Sequence, residues 1–319
     1  MNVRRLAQTS AAFVAFGAIV AGTTLPAMAQ VMSPTKTASS ASISGTARIG
    51  SRLTCKVTPS TTQVHWWISG NPSVVLSNGP TWELPTTASG KSLIGQRVVC
   101  GFSFILNTNE RVAANSKSVT VQAGIFSAPK PTATGVSATH VAKIGVTLTA
   151  KPGVWTPSAT SYTYSWKRGS SLVSSKSTYK TVAADVGKTL ILTVVGHRSG
   201  FTTKSSSSAA ISVKNVFTTV GVPNICIVGG ACASKKDAVL VGAVGHKLKA
   251  VPGTWGPSGA TFSYTWILRD AAHPLGVKVG TGATYVSKGG KTGFLTVTVA
   301  ADKTNYIRAT STSWKVGIY

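Results

Sequence analysis

Ile49-Gly50-Ser51-Arg52-Leu53-Thr54 returns as Ile144-Gly145-Val146-Thr147-Leu148-Thr149, and again as Val244-Gly245-His246-Lys247-Leu248-Lys249. Each copy then reaches a tryptophan, with Trp67, Trp166 and Trp266 the expected shared core landmark. A fixed period carrying one aromatic landmark marks tandem modules, which argues against one large enzyme fold spread over the chain. Between the landmarks apolar and polar residues alternate, as in Tyr162-Thr163-Tyr164-Ser165-Trp166 and Leu190-Ile191-Leu192-Thr193-Val194. Period two with β-branched and aromatic residues predicts half-buried strands. Turn-forming clusters such as Pro152-Gly153, Asn107-Thr108-Asn109 and Gly289-Gly290 separate them. The fold class is therefore all-β, with each module an antiparallel sandwich of about seven strands.

The first module adds Cys55 on its second expected strand, Trp67 on the next and Cys100 on the sixth. That is the Cys, Trp, Cys order of an immunoglobulin domain, whose disulfide joins the two sheets beside a buried indole. Aligned on their glycines, the other modules have Ala150 and Leu192, then Ala250 and Val297, at the cysteine positions. Apolar replacements favour a structural bond over a metal or redox role. The second pair, in Cys226-Ile227-Val228-Gly229-Gly230-Ala231-Cys232, is spaced for a small disulfide loop. A free thiol pair and a zinc site are the alternatives, the latter needing two more ligands, with only His246 moderately near in sequence.

The second copy runs through Pro152-Gly153-Val154-Trp155-Thr156-Pro157, Tyr179, Ala183-Ala184-Asp185-Val186-Gly187-Lys188 and Gly200-Phe201. It resembles the immunoglobulin-like repeats of actinobacterial secreted and cell-surface proteins. The third copy keeps Pro252-Gly253-Thr254-Trp255-Gly256-Pro257, Trp266, Tyr285 and Tyr306, whereas the first lacks the Pro-Gly-x-Trp segment. The resemblance implies the fold, and implies spacers, adhesive modules and enzyme appendages equally.

Met1 to Ala29 reads as a signal peptide: Arg4 and Arg5, a small and apolar core, then Ala27-Met28-Ala29 as a cleavage site. After its removal no stretch is long and apolar enough to be expected to span a membrane. Residues 30–41 read as a flexible leader, 42–122 as the first domain, 128–214 as the second, 215–238 as a linker insertion holding the Cys226 loop, and 239–319 as the third. The mature protein is expected to be exported, and held at a surface, if at all, without a covalent anchor.

Lys and Arg number 32 against six acids, for a formal charge of +26. The excess runs through all three modules, so a single basic tail is excluded as its source. Such a charge concentrates polyanions by long-range attraction. Solubility alone would favour mixed signs. Lys167, Arg168, Lys235 and Lys236 are the candidate polyanion-binding residues. If Trp67 points inward, Trp66 must point outward, and it is the candidate exposed aromatic, able to stack on a sugar or a base unless a loop covers it. Trp155 and Trp255 are expected to close the open ends of their sandwiches.

The five histidines show no helical metal-ligand spacing, and no nucleophile elbow, phosphate-cradling loop or dinucleotide fingerprint is present. Asp185, at the acidic turn of the repeat, is expected to cap that turn. No catalytic residue, metal ligand or cofactor is nominated. The expected function is non-enzymatic association with anionic wall polymers or acidic glycans of an envelope or host surface. A structural spacer and an extracellular nucleic-acid binder are the rivals.

Overall fold

Along Thr189–His197 every second residue is buried, beginning at Leu190, and Lys247–Val251 alternates in the same way. The first strand thus turns Leu190, Leu192 and Val194 inward and Thr189 and Thr193 outward, the second Leu248 and Ala250 inward and Lys247 and Lys249 outward, and a second stacked sheet covers each inner face. The computed structural model describes residues 39–61, 63–105, 111–233, 235–241, 243–288 and 292–318. The expected signal peptide and the leader up to residue 38 lie outside the described residues, as do Asn107-Thr108-Asn109 and Gly289-Gly290.

Three sheet pairs follow one another. In the first, Ser40–Ser44, Arg52–Thr58 and Thr81–Glu83 face a sheet of Arg97–Ile105, His65–Ile68 and Asn71–Asn78, with Arg111–Asn115 and Val119–Thr120 both on Arg97–Ile105. In the second, Thr132–Thr134, Thr147–Lys151 and Thr178–Lys180 face a sheet ordered Val141–Lys143, Ile211–Lys214, Thr189–His197, Ser161–Arg168 and Ser171–Ser174. The third repeats this plan around Lys247–Val251 and Gly293–Asp302. The ladders are antiparallel except at Val141–Lys143 on Ile211–Lys214 and Val239–Leu240 on Val316–Ile318, which run parallel.

Two boundaries differ from the sequence reading. Ser40 and Ala41, placed in the leader, already pair with Thr58 and Val57. The insertion is not merely a linker: Asn224–Ile227 pairs with Lys247–Val251 as the first strand of the third sandwich. It turns back through Cys232–Ala233, and Cys226 and Cys232 face each other in that hairpin and are bonded. The other bond, Cys55–Cys100, crosses between the two sheets of the first pair.

The core landmark of the first sandwich is Trp66, and the expectation for Trp67 is corrected. Trp66 is fully buried, whereas Trp67 is on the opposite face and only partly covered. The register gives the reason: Trp66 stands opposite Cys100 as Trp166 stands opposite Leu192 and Trp266 opposite Val297. All three indole N–H groups donate to a backbone carbonyl, of Gly79, Lys176 and Gly282, at 2.9, 3.1 and 2.8 Å. A buried indole so satisfied contributes its full apolar area to the core. Trp67 instead leans over Gly101, where a Cβ would come within 2.9 Å of its ring.

Tyr179 and Tyr285 stack on Trp166 and Trp266 at ring separations of 6.2 and 5.6 Å. Burial pushes both phenols above the usual tyrosine range; a hydrogen bond to Asp185 adds to this at Tyr179. Because the folded protein holds these protons longer than the unfolded chain, their stabilising contribution is complete below the unfolded value of about 10. It is lost as pH rises through the folded values. Melting temperature is therefore expected to fall from about pH 10 upward, and Tyr285→Phe to flatten that fall for the third sandwich. An identical alkaline slope in Tyr285→Phe and the parent, by calorimetry, would show that lysine deprotonation alone is responsible.

Candidate functional site

The same joint is built twice between consecutive sandwiches. At the first, Gly124 N–H donates to Gly200 O at 2.9 Å and Thr202 N–H to Gly124 O at 2.9 Å. At the second, Asn215 N–H donates to Asn305 O at 2.8 Å and Ile307 N–H to Asn215 O at 2.9 Å. The connector is spliced onto a loop of the module it enters. Both loop apices are left-handed, Gly200 at φ 78° and Asn305 at φ 63°, a conformation open to glycine and tolerated by asparagine.

Two residues past each splice a phenylalanine enters the end of the next sandwich. Phe126 meets Trp155 and Phe201 at 5.5 and 5.4 Å; Phe217 meets Trp255 and Tyr306 at 5.6 and 5.3 Å. Trp155 and Trp255 are buried, with indole N–H groups donating to Pro152 O and Pro252 O. They close the sandwich ends, as the sequence suggests. What the sequence hides is their partner, because Phe126 and Phe217 lie in the connectors. Arg198 and Lys303 sit over the Phe201 and Tyr306 rings at 5.1 and 5.5 Å, so each joint carries a cation fixed against its aromatic cluster.

Cavities open beside both joints. The first, of about 460 Å³, is lined by Arg48, Arg198, Glu83, Leu84, Ile125 and Phe201 among others. Arg48 donates to Ala123 O at 3.0 Å and Arg198 to Ser158 O at 3.1 Å. At the second joint a cavity of about 640 Å³ takes Lys143, Lys214 and Arg308 into its lining, with Ser137, Thr139, Val136, Val141, Val146, Ile307 and Gly135. A neighbouring one of about 560 Å³ shares Lys214 and Arg308 and adds Lys303, Asp302 and Tyr306.

The residues singled out from the sequence are dispersed. Lys167, Lys235 and Lys236 are exposed and do not line either joint. Arg168 is already partnered: its Nε donates to Asp185 at 2.6 Å, and that carboxylate is fully buried. The guanidinium is thus committed to an internal carboxylate, although its own side chain stays about 27% exposed, and the Asp185 bond raises its already high pKa. Trp66 is corrected, since a fully buried ring cannot stack on a ligand. Among the described residues Trp314 and Phe294 reach the surface, the latter beneath Lys315 at 4.1 Å.

The carboxylates are largely occupied. Asp185 is buried against Arg168, Asp302 lies 3.4 Å from Arg308, and Asp270 lies 2.8 Å from the imidazole of His273. Among the described residues no three His, Cys, Asp or Glu side chains gather where they would hold one metal ion, and no helix is long and apolar enough to cross a membrane.

No family model matches the chain, and no curated protein matches it. Solved structures do. Three N-terminal domains of the bacteriophage RB49 highly immunogenic outer capsid protein are 14% identical, with 88% of this chain and 99% of that chain covered, at a TM-score of 0.31. Titin domains A168–A170 are 12% identical, with 88% and 96% covered, at 0.35. The ICAM-5 D1–D4 ectodomain fragment is 15% identical, with 86% and 74% covered, at 0.34. The immunoglobulin-like fold rests on the sheet pairing, the inter-sheet disulfide and the buried tryptophan.

Proposed function

We propose that the chain is an exported, non-enzymatic string of three immunoglobulin-like modules that associates electrostatically with anionic polymers of a cell envelope or host surface, without cofactor. The observation that carries this reading is the charge pattern. Lys and Arg outnumber acids by 32 to six, and Asp185, Asp270 and Asp302 are already engaged by Arg168, His273 and Arg308. What the modules present outward is thus strongly positive. The twice-built joints favour a second role as a spacer, since each carries two backbone hydrogen bonds and a buried aromatic. Nucleic acid is the less favoured ligand, because Trp66 offers no stacking surface.

Retention on immobilised heparin or wall polymer is expected to fall at least about tenfold between roughly 50 and 200 mM salt, as for other binders that release condensed counterions. The second module, which has 11 basic residues and one acid over 128–214, is expected to be retained more strongly than the first, which has seven and two over 42–122. Salt-insensitive retention, or tighter binding by the first module, would overturn an electrostatic mechanism.

A further inference from the structure

Lys143 and Lys214 are directly opposite each other on neighbouring parallel strands. Their predecessors Ala142 and Val213 are both fully buried, so the two ammonium groups emerge together on the outer face. Strands lie ~4.8 Å apart, and like charges facing each other at that spacing are destabilising. No carboxylate lines the cavity into which both open, and Arg308 joins them there from the third module. Arg308 is itself held in place, donating to Ser263 Oγ at 2.8 Å and lying 3.4 Å from Asp302, which lines the neighbouring cavity. Three cations from three segments and two modules thus converge on one groove.

We infer that the groove across the second joint is a discrete site for a phosphate- or sulfate-ester glycan chain, with one ester group seated among Lys143, Lys214 and Arg308. This rests on the polyanion reading above and locates it. An oxyanion there would relieve the lysine–lysine repulsion and accept charge-assisted hydrogen bonds from all three side chains. Ser137 and Thr139 supply hydroxyls, while Val136, Val141, Val146 and Ile307 form an apolar wall suited to sugar or glycerol carbons. No aromatic lines this cavity, so it offers bases no platform on which to stack. The neighbouring groove, sharing Lys214 and Arg308 and adding Lys303 beside Asp302 and Tyr306, continues the track for a chain longer than one residue, with Asp302 already paired to Arg308. The first joint is poorer: Gln122, whose carbonyl bonds Ile49 N–H as that of Lys214 bonds Ile144 N–H, supplies no charge there, and Glu83 enters the lining.

The test uses the full chain with three probes: a size-defined heparin oligosaccharide, poly(glycerol phosphate) and a single-stranded oligonucleotide. Lys143→Gln/Lys214→Gln/Arg308→Gln is compared with the charge-matched Lys176→Gln/Lys180→Gln/Lys204→Gln. The first is expected to lose roughly tenfold or more in affinity for the sulfated or phosphorylated chain, and the second less than about threefold; the preferred probe distinguishes the two ester types. Lys143→Gln alone is expected to weaken binding while raising the melting temperature, because it removes one of two opposed charges. Equal losses in both triple variants would overturn the site and leave diffuse electrostatic binding standing. Absence of binding by the parent chain would overturn the polyanion reading itself. Tighter binding of the oligonucleotide would overturn the ligand class.

Discussion

Asp185→Ala is expected to cost the second sandwich about 3 kcal/mol, because it removes a fully buried acceptor on which three donors converge. The fully buried carboxylate accepts from Tyr179 Oη at 2.9 and 3.1 Å, from Val182 N–H at 2.7 Å and from Arg168 Nε at 2.6 Å. Losing it takes this acceptor from a phenol and a backbone N–H, and opens the one-turn helix Ala183–Asp185 whose first N–H the carboxylate holds. For a module of this size that corresponds to a fall in melting temperature of more than about 10 °C. The first sandwich shows the apolar alternative. Counting from the core tryptophans and the shared glycines, Ile68 and the fully buried Leu93 stand where the second has Arg168 and Asp185, and Trp82 pairs with Leu53 as Tyr179 pairs with Leu148. Replacing a buried ion pair with apolar residues is often neutral or stabilising, whereas removing one partner is costly. Arg168→Ile/Asp185→Leu is therefore expected to recover most of what Asp185→Ala loses. A double variant as unstable as the single one, by calorimetry, would show that Asp185 acts through its turn rather than through the charge pair.

The architecture was legible because its determinants are local. Alternation marks strands, glycines mark turns, and the period sets the number of copies. Trp66 and Trp67 are adjacent and sit where the strand is least regular: the pairing of His65–Ile68 with Asn71–Asn78 shifts register on both sides of Trp67, so local alternation does not tell the inward ring from the outward one. The decisive signal was nonetheless in the period, since Trp66, Trp166 and Trp266 are separated by equal steps of 100. Asn224–Ile227 escaped notice because four residues ending in a cysteine loop carry too little alternation to announce a strand. The joint was illegible for a different reason. Phe126, Trp155 and Phe201 are far apart in sequence and meet only once the connector is spliced to the loop. Likewise Lys143 and Lys214 become a pair only through a parallel ladder, and Arg308 reaches them from the next module. Charge counting could report the excess, but not where it converges.

Removing the inter-sheet bond is expected to be the more severe of the two disulfide deletions. Cys55–Cys100 closes 45 residues of sequence separation, against six for Cys226–Cys232. The chain-entropy model assigns about 4 kcal/mol to the former and about 2 kcal/mol to the latter. The smaller bond also sits in a hairpin already held by backbone pairing to Lys247–Val251. Cys55→Ala/Cys100→Ala adds a packing loss, since both sulfurs lie in the core cluster with Trp66, Leu53 and Val98. Cys55→Ala/Cys100→Leu instead copies the Ala150 and Leu192 of the second sandwich, where Leu192 stands opposite Trp166 as Cys100 stands opposite Trp66. The alanine pair is expected to lower the melting temperature of the first sandwich by more than about 15 °C. The leucine variant is expected to recover the packing part and leave the loop-closure part missing. Full recovery would mean that the bond stabilises by filling space, while no difference between the two variants would mean that closure of the chain is its whole contribution.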